Sequence, residues 1–116
     1  MSTRVVNLKA ETYDVYVGRA SSLRIGLPEK GWDGRFGNPF VIGRDGDRDE
    51  VVRKHKAWMW ARLNKDREFL RRVLALEGKA LGCFCSPERC HGDNYVAFLE
   101  WVKTPDGAAW LREGGA

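Results

Sequence analysis

Cysteine, methionine, histidine and proline are all scarce in this chain of 116 residues, at three, two, two and four copies. The three cysteines are odd in number and confined to the stretch from Gly82 to His91. A secreted disulfide framework would spread an even number along the chain, so the cluster points to chemistry or metal instead. No apolar run approaches the roughly 20 residues that a bilayer span requires, and the mean hydropathy is −0.48. The opening MSTRVVNLKAET is polar where a secretory signal needs an apolar stretch, which places the protein in the cytosol with its thiols reduced. G-x-G-x-x-G and Walker A patterns are absent, as are repeats and low-complexity blocks.

What is present is aromatic and basic. Five Trp, five Phe and three Tyr give burial enough weight to outcompete ordering entropy, so the chain reads as one folded domain. That domain is expected over 1–103, followed by a loosely attached tail over 104–116 that is rich in Gly and Ala with a single Trp110. A formal charge of +4 favours anionic partners, nucleotides and nucleic acid first, and gives no reason to expect a membrane. Protein partners are not specified by these features. The excess is local: Arg53, Lys54, Lys56, Arg62, Lys65, Arg67, Arg71 and Arg72 face only Asp66 and Glu68 over 51–75.

Short β-branched and aromatic runs at 3–8 and 13–18 predict two strands that pair or neighbour each other. Six glycines and two prolines over 21–47 predict a long loop, anchored by Trp32, Phe36 and Phe40. Asp47 is placed to cap a helix whose apolar stripe runs Val51, Val52, His55, Trp58, Met59, Arg62, Leu63. A second helix begins near Asp66 and stops at Gly78, a buried strand covers 79–85, and a third helix covers about 90–102. The helical crossover between the second and third strands is what parallel pairing needs, so the fold class is a small Rossmann-like α/β sheet flanked by helices.

The densest chemistry is GCFCSPERCHGD, 82–93. Cys83 and Cys85 share one strand face by the period of two. His91 sits one helical turn before Tyr95 and points inward, while Cys90 lies in the first turn, where unpaired N–H groups favour a thiolate. Three readings stay open. Cys85 or Cys90 is a nucleophile with His91 as base or acid and Asp93 beside them. Alternatively, Cys83, Cys85, Cys90 and His91 hold zinc, although same-face strand positions lie ~6.6 to 6.8 Å apart and tetrahedral zinc needs sulfurs ~3.8 Å apart. The third reading makes the cysteines small buried hydrophobes and His91 a satisfied core imidazole.

Weaker signals accompany it. Gly18 and Arg19 end a strand with a permissive residue and a fork-shaped cation suited to phosphate. Arg35, Phe36, Gly37, Asn38 and Pro39 join a cation, an amide and an aromatic, parts that stack and read a base or that merely pin the loop. Trp60, on the basic side of its helix with Arg53 and Lys56, suggests nucleic-acid contact, to which Arg71 of the next helix would add, or packing against another helix.

YVGR (16–19), FGNPF (36–40) and EGKALGCFCSPERCHGD (77–93), in this order with a helical region between the last two, resemble domain-of-unknown-function family 4326 of small bacteriophage and bacterial proteins. The resemblance covers about 4–102. Gly18, Arg19, Gly37, Asn38, Pro39, Gly78, Lys79, Cys83, Cys85, Pro87, Cys90, His91, Gly92 and Asp93 match its motifs, and it brings no established reaction. A more distant similarity joins the final motif to domain-of-unknown-function family 488, with Cys85 standing at an acidic position, and implies a Rossmann-like layer arrangement. If the protein is phage-encoded, its compartment is the host cytoplasm.

The leading expectation is a site at the carboxyl edge of the sheet for a nucleotide, nucleoside or exposed base. Arg19 and the amino end of the third helix would hold the anion, Phe36 and Asn38 would read the base, and Cys85, Cys90, His91 and Asp93 would form the reacting centre. The runner-up is a non-enzymatic nucleic-acid-binding or host-modulating protein using Arg53, Lys56, Trp60 and Arg71; the third is a module with a structural zinc site.

Overall fold

A computed structural model describes residues 2–19, 34–84 and 88–113. Among them are three strands, β1 (Arg4–Asn7), β2 (Val15–Tyr16) and β3 (Ala80–Cys83), and four helices, α1 (Arg48–Lys65), α2 (Arg67–Leu74), α3 (Gly92–Trp101) and α4 (Pro105–Arg112). The sheet is parallel throughout with strand order β1-β3-β2. Val5 and Val15 both stand opposite Leu81, which fixes the register on either side of the central strand.

α1 begins where the sequence places it. The Asp47 side chain accepts from the Glu50 N–H at 2.9 Å and the Glu50 carboxylate accepts from the Asp47 N–H, a reciprocal cap that pairs two otherwise orphan donors. Its buried residues, Val51, Val52, His55, Met59 and Leu63, recur at three and four and turn one stripe onto the core. Asp66 caps α2 with a single side-chain bond, accepting from the Phe69 N–H. The helical pair carries the chain from β2 to β3 as a parallel crossover requires. Gly78, at φ +78°, makes the turn into β3.

Two expectations are corrected. β1 and β2 do not neighbour each other, because β3 lies between them. The 8–14 connection is too short for the crossover that two paired parallel strands need. It passes instead over β3 at Gly82, where a Cβ would meet the Tyr13 ring at 2.8 Å. The segment read as a loose tail contains α4, capped by Thr104, with Trp110 set edge-on against Trp60, Phe98 and Trp101 at 5.6 to 5.7 Å. One aromatic was enough to dock it because three others already form the surface it meets. Trp32, Cys85 and Pro87 lie outside the described residues.

Candidate functional site

Backbone ends converge at the carboxyl edge of the sheet: β2 runs into Val17 and Gly18, β3 into Phe84, and α3 begins just beyond Cys90. There they enclose a cavity of about 300 Å³. Its wall includes Gly18, Arg19 and Asn38, the sulfur-bearing Cys83 and Cys90, and the His91 ring. Arg48 from the first turn of α1 and Arg89 from the loop before α3 add two guanidinium groups that the sequence did not single out. Phe84 and Ile42, exposed at 53% and 50%, stand at its margin as the large apolar side chains most open to solvent among the described residues.

His91 occupies the N-cap of α3 with helical backbone angles. Its Nε2 bonds to the carbonyl of Val17, the first residue beyond β2. A carbonyl only accepts, so Nε2 carries the hydrogen and the neutral ring leaves an electron pair on Nδ1. That Nδ1 faces Cys90 Sγ at 3.7 Å. The Gly92 N–H donates to the same sulfur at 3.3 Å, a bond that strengthens when the sulfur is charged. Burial pushes the His91 pKa below its ordinary value and Arg19 adds to that, while the carbonyls of Val17 and Phe36 and the Asp93 carboxylate oppose it. The ring is thus neutral at physiological pH and oriented to take a proton from the thiol.

Behind His91 lies a second, fully buried imidazole. The rings of His55 and His91 meet edge to face at 4.9 Å. The Asn94 amide donates to the Val52 carbonyl at 2.9 Å and to His55 Nδ1 at 3.0 Å. His55 therefore carries its hydrogen on Nε2 and donates to the Tyr95 hydroxyl at 3.2 Å, which donates onward to the Phe36 carbonyl at 3.0 Å. Every member of this chain is paired, as buried polar groups must be. Desolvation, helped by the charge on His91, lowers the His55 pKa to about 3. Protonation would also aim a new Nδ1–H at the Asn94 amide.

The remaining expected site residues divide by what they touch. Phe36 is 4% exposed, its ring meets Tyr95 edge-on, and it lines neither the cavity nor the groove beside it. Asn38 is buried, with its amide oxygen accepting from the Phe40 N–H and its amide nitrogen donating to the Val51 carbonyl. It holds the loop, and it also lines the cavity, with one amide N–H and one oxygen lone pair beyond these two bonds. Arg19 donates to the carbonyls of Asn38 and Phe40, both at 2.9 Å. Gly37 allows this docking, since a Cβ there would come within 2.9 Å of the Gly18 carbonyl oxygen. Asp93 accepts from the Cys90 N–H at 3.1 Å and so positions the residue rather than its sulfur. Arg35, Gly37 and Pro39 line a neighbouring groove instead of the cavity.

On the other candidate face, Arg53 and Lys56 are exposed, but Arg71 pairs with Glu68 and Trp60 turns into the Phe98, Trp101 and Trp110 cluster. The interleaved aromatic that made this face attractive for nucleic acid is engaged in packing. For zinc, no group of three His, Cys, Asp or Glu side chains converges among the described residues, and Cys85 of the proposed set lies outside them.

His55, Asn94 and Tyr95 escaped the sequence reading as site residues. Asn94 carried a usable signal, being polar on the inward stripe that His91, Tyr95 and Phe98 define. Arg48 and Arg89 carried none, because elements distant in sequence bring them together.

Fold and cavity together define a small parallel α/β domain with a thiol and an imidazole in contact at the carboxyl edge of its sheet. The chain belongs to the family of the domain of unknown function DUF4326, which matches residues 3–101 and so ends before α4. No curated protein and no solved structure is significantly similar to it. No helix among the described residues is long and apolar enough to cross a membrane.

Proposed function

We propose that the protein binds a nucleotide, or the phosphate-bearing end of a nucleoside derivative, in the carboxyl-edge cavity, with Cys90 and His91 as a reactive pair. The observation that carries this reading is the composition of one cavity wall: three guanidinium groups, a thiol and an imidazole around about 300 Å³. That volume is at the small end of ligand pockets, on the order of 300 Å³ and upward, and suits a single nucleotide-sized molecule. Strand carboxyl ends followed by a helix amino end are the usual ligand position of open α/β sheets. Arg48 and Arg89, paired at the surface with Glu88 at 2.9 Å and Asp49 at 3.4 Å, would exchange those bridges for a phosphate, and Phe40, Val51 and Phe84 supply apolar wall for a base.

Cys90 is 2% exposed but lines the cavity, so the dyad would serve nucleophilic substitution on a ligand seated against that wall. His91 Nδ1 takes the Cys90 thiol proton, and Sγ forms a bond to an electrophilic carbon of the ligand. The bond to the leaving group breaks, and that group departs with its electron pair and takes the imidazolium proton.

Titration calorimetry of nucleoside monophosphates against the matching nucleosides tests the binding. The monophosphates are expected to bind at least about tenfold more tightly, equivalent to ~1.4 kcal/mol. Arg48→Ala combined with Arg89→Ala should erase the difference, and alkylation of Cys90 should block both ligands. If no nucleotide or nucleoside binds and alkylated protein behaves as the parent does, the reading is wrong.

A further inference from the structure

We infer that the ligand of this cavity is one nucleotide of a single-stranded nucleic acid, whose adjoining phosphates lie along an arginine-lined groove next to it. The inference rests on the proposed function and names the form in which the nucleotide arrives. The groove, of about 520 Å³, shares Arg19, Asn38 and Val41 with the cavity, so the two depressions meet at the docked loop. Besides Arg19, its walls hold Arg35, Arg44 and Arg62 together with Trp58, and no described residue of its lining is acidic.

Charge in this groove is available at low cost. Arg19 is held by two neutral backbone carbonyls, so it keeps its whole charge and is fixed at the junction. Arg44 and Arg62 pair with Asp45 at 2.9 Å and Asp66 at 3.5 Å, both surface bridges, a class that contributes little to stability and so is readily exchanged for a phosphate. The Arg62 guanidinium lies over the Trp58 and Phe69 rings at 5.2 and 4.4 Å, which presents it as a flat cationic shelf. Cations interleaved with an aromatic are what a flexible strand uses, since each base offers a π-face and each linkage a charge. A free mononucleotide would be fully served by Arg48 and Arg89 and would leave the groove without a role. An acidic peptide would match the charge but not the stacking shelf or the adjoining base-sized cavity.

The test is fluorescence anisotropy of a short labelled oligothymidylate with the full chain, competed by thymidine monophosphate and, separately, by polyglutamate. The oligonucleotide is expected to bind at least about tenfold more tightly than the monophosphate. Three phosphate contacts at a slope of about −0.7 each predict a loss of about 20-fold between roughly 50 and 200 mM salt. Arg44→Glu with Arg62→Glu should lower oligonucleotide affinity to that of the monophosphate while monophosphate binding persists. Arg44→Glu alone, on an exposed turn, should give a partial loss even if the Arg62 change disturbs packing. An oligonucleotide no tighter than the monophosphate overturns this inference and leaves the cavity reading standing. Equal competition by polyglutamate overturns the nucleic-acid assignment, and failure of both nucleotide ligands overturns the cavity reading with it.

Discussion

The cavity at the carboxyl edge of the sheet and the hollow between α1 and α3 are almost equal in volume, about 300 and 310 Å³, yet their walls have little chemistry in common. The first gathers arginines, a thiol and an imidazole at a place where strands end and a helix begins, so its backbone groups are not all consumed by regular pairing. The second lies beside two continuous helices and is lined by Met59, Trp60, Phe98 and Trp101. Its polar members are Lys56 and Asn94, and the Asn94 amide is already spent on Val52 and His55. Volume therefore does not distinguish the two depressions; the position of element ends does.

The contrast is broken most directly at Trp110. Trp110→Ala removes an edge-on partner of three aromatic rings, and for a half-buried tryptophan the expected loss is about 2 to 3 kcal/mol, read by chemical denaturation. Nucleotide affinity should stay within about twofold. A folded variant that loses binding would show that the hollow and the cavity act as one unit.

Acid sharpens it next. His55 has a folded pKa of about 3 against an ordinary 6.5, and His91 is also lowered. Below the unfolded value the unfolded chain binds the extra proton, so this stability is complete above about pH 6.5 and is lost as pH falls toward the folded values. His55 alone should remove about 2 kcal/mol by about pH 5. Denaturation midpoints at neutral and acid pH read the slope, and His55→Gln should flatten part of it. A parent protein whose stability does not change over this range would contradict the neutral, buried imidazole.

The smallest effect expected is at the boundary between the two regions. Tyr95→Phe removes the hydroxyl that bonds the Phe36 carbonyl and the His55 N–H and leaves that N–H without its partner, at a cost of about 1 kcal/mol or somewhat more. Because the same carbonyl faces His91, thiol alkylation of Cys90 should change its pH profile in this variant, whereas Trp110→Ala should leave the profile unmoved.

Much of the architecture was legible because its signals are local. The Asp47 cap, the stripe from Val51 to Leu63, the Asp66 cap and the inward turn of His91 each involve residues within a few positions of one another, whereas α2 ends at Leu74, short of the expected stop at Gly78. The site was legible only in part. Cys90 and His91 are adjacent in sequence and were found together. Exposure of a loop residue has no local signature, so the sequence does not show that Phe36 packs into the core or that Asn38 bonds the Val51 carbonyl and the Phe40 N–H. The neighbour relation of β1 and β2 failed for a similar reason, since strand order is decided by which segment inserts between them.

By itself, the order of amino acids determined the first three helices, the central strand and its parallel pairing with β2, and the contact of one thiol with one imidazole, because capping, periodicity and chain adjacency operate over short distances. Only the tertiary structure decided that Arg48 and Arg89 share a wall with that pair, that α4 closes the aromatic cluster, and that His55 stands behind His91. Those relations depend on strand order and helix docking, which burial of the whole core selects and no single segment encodes.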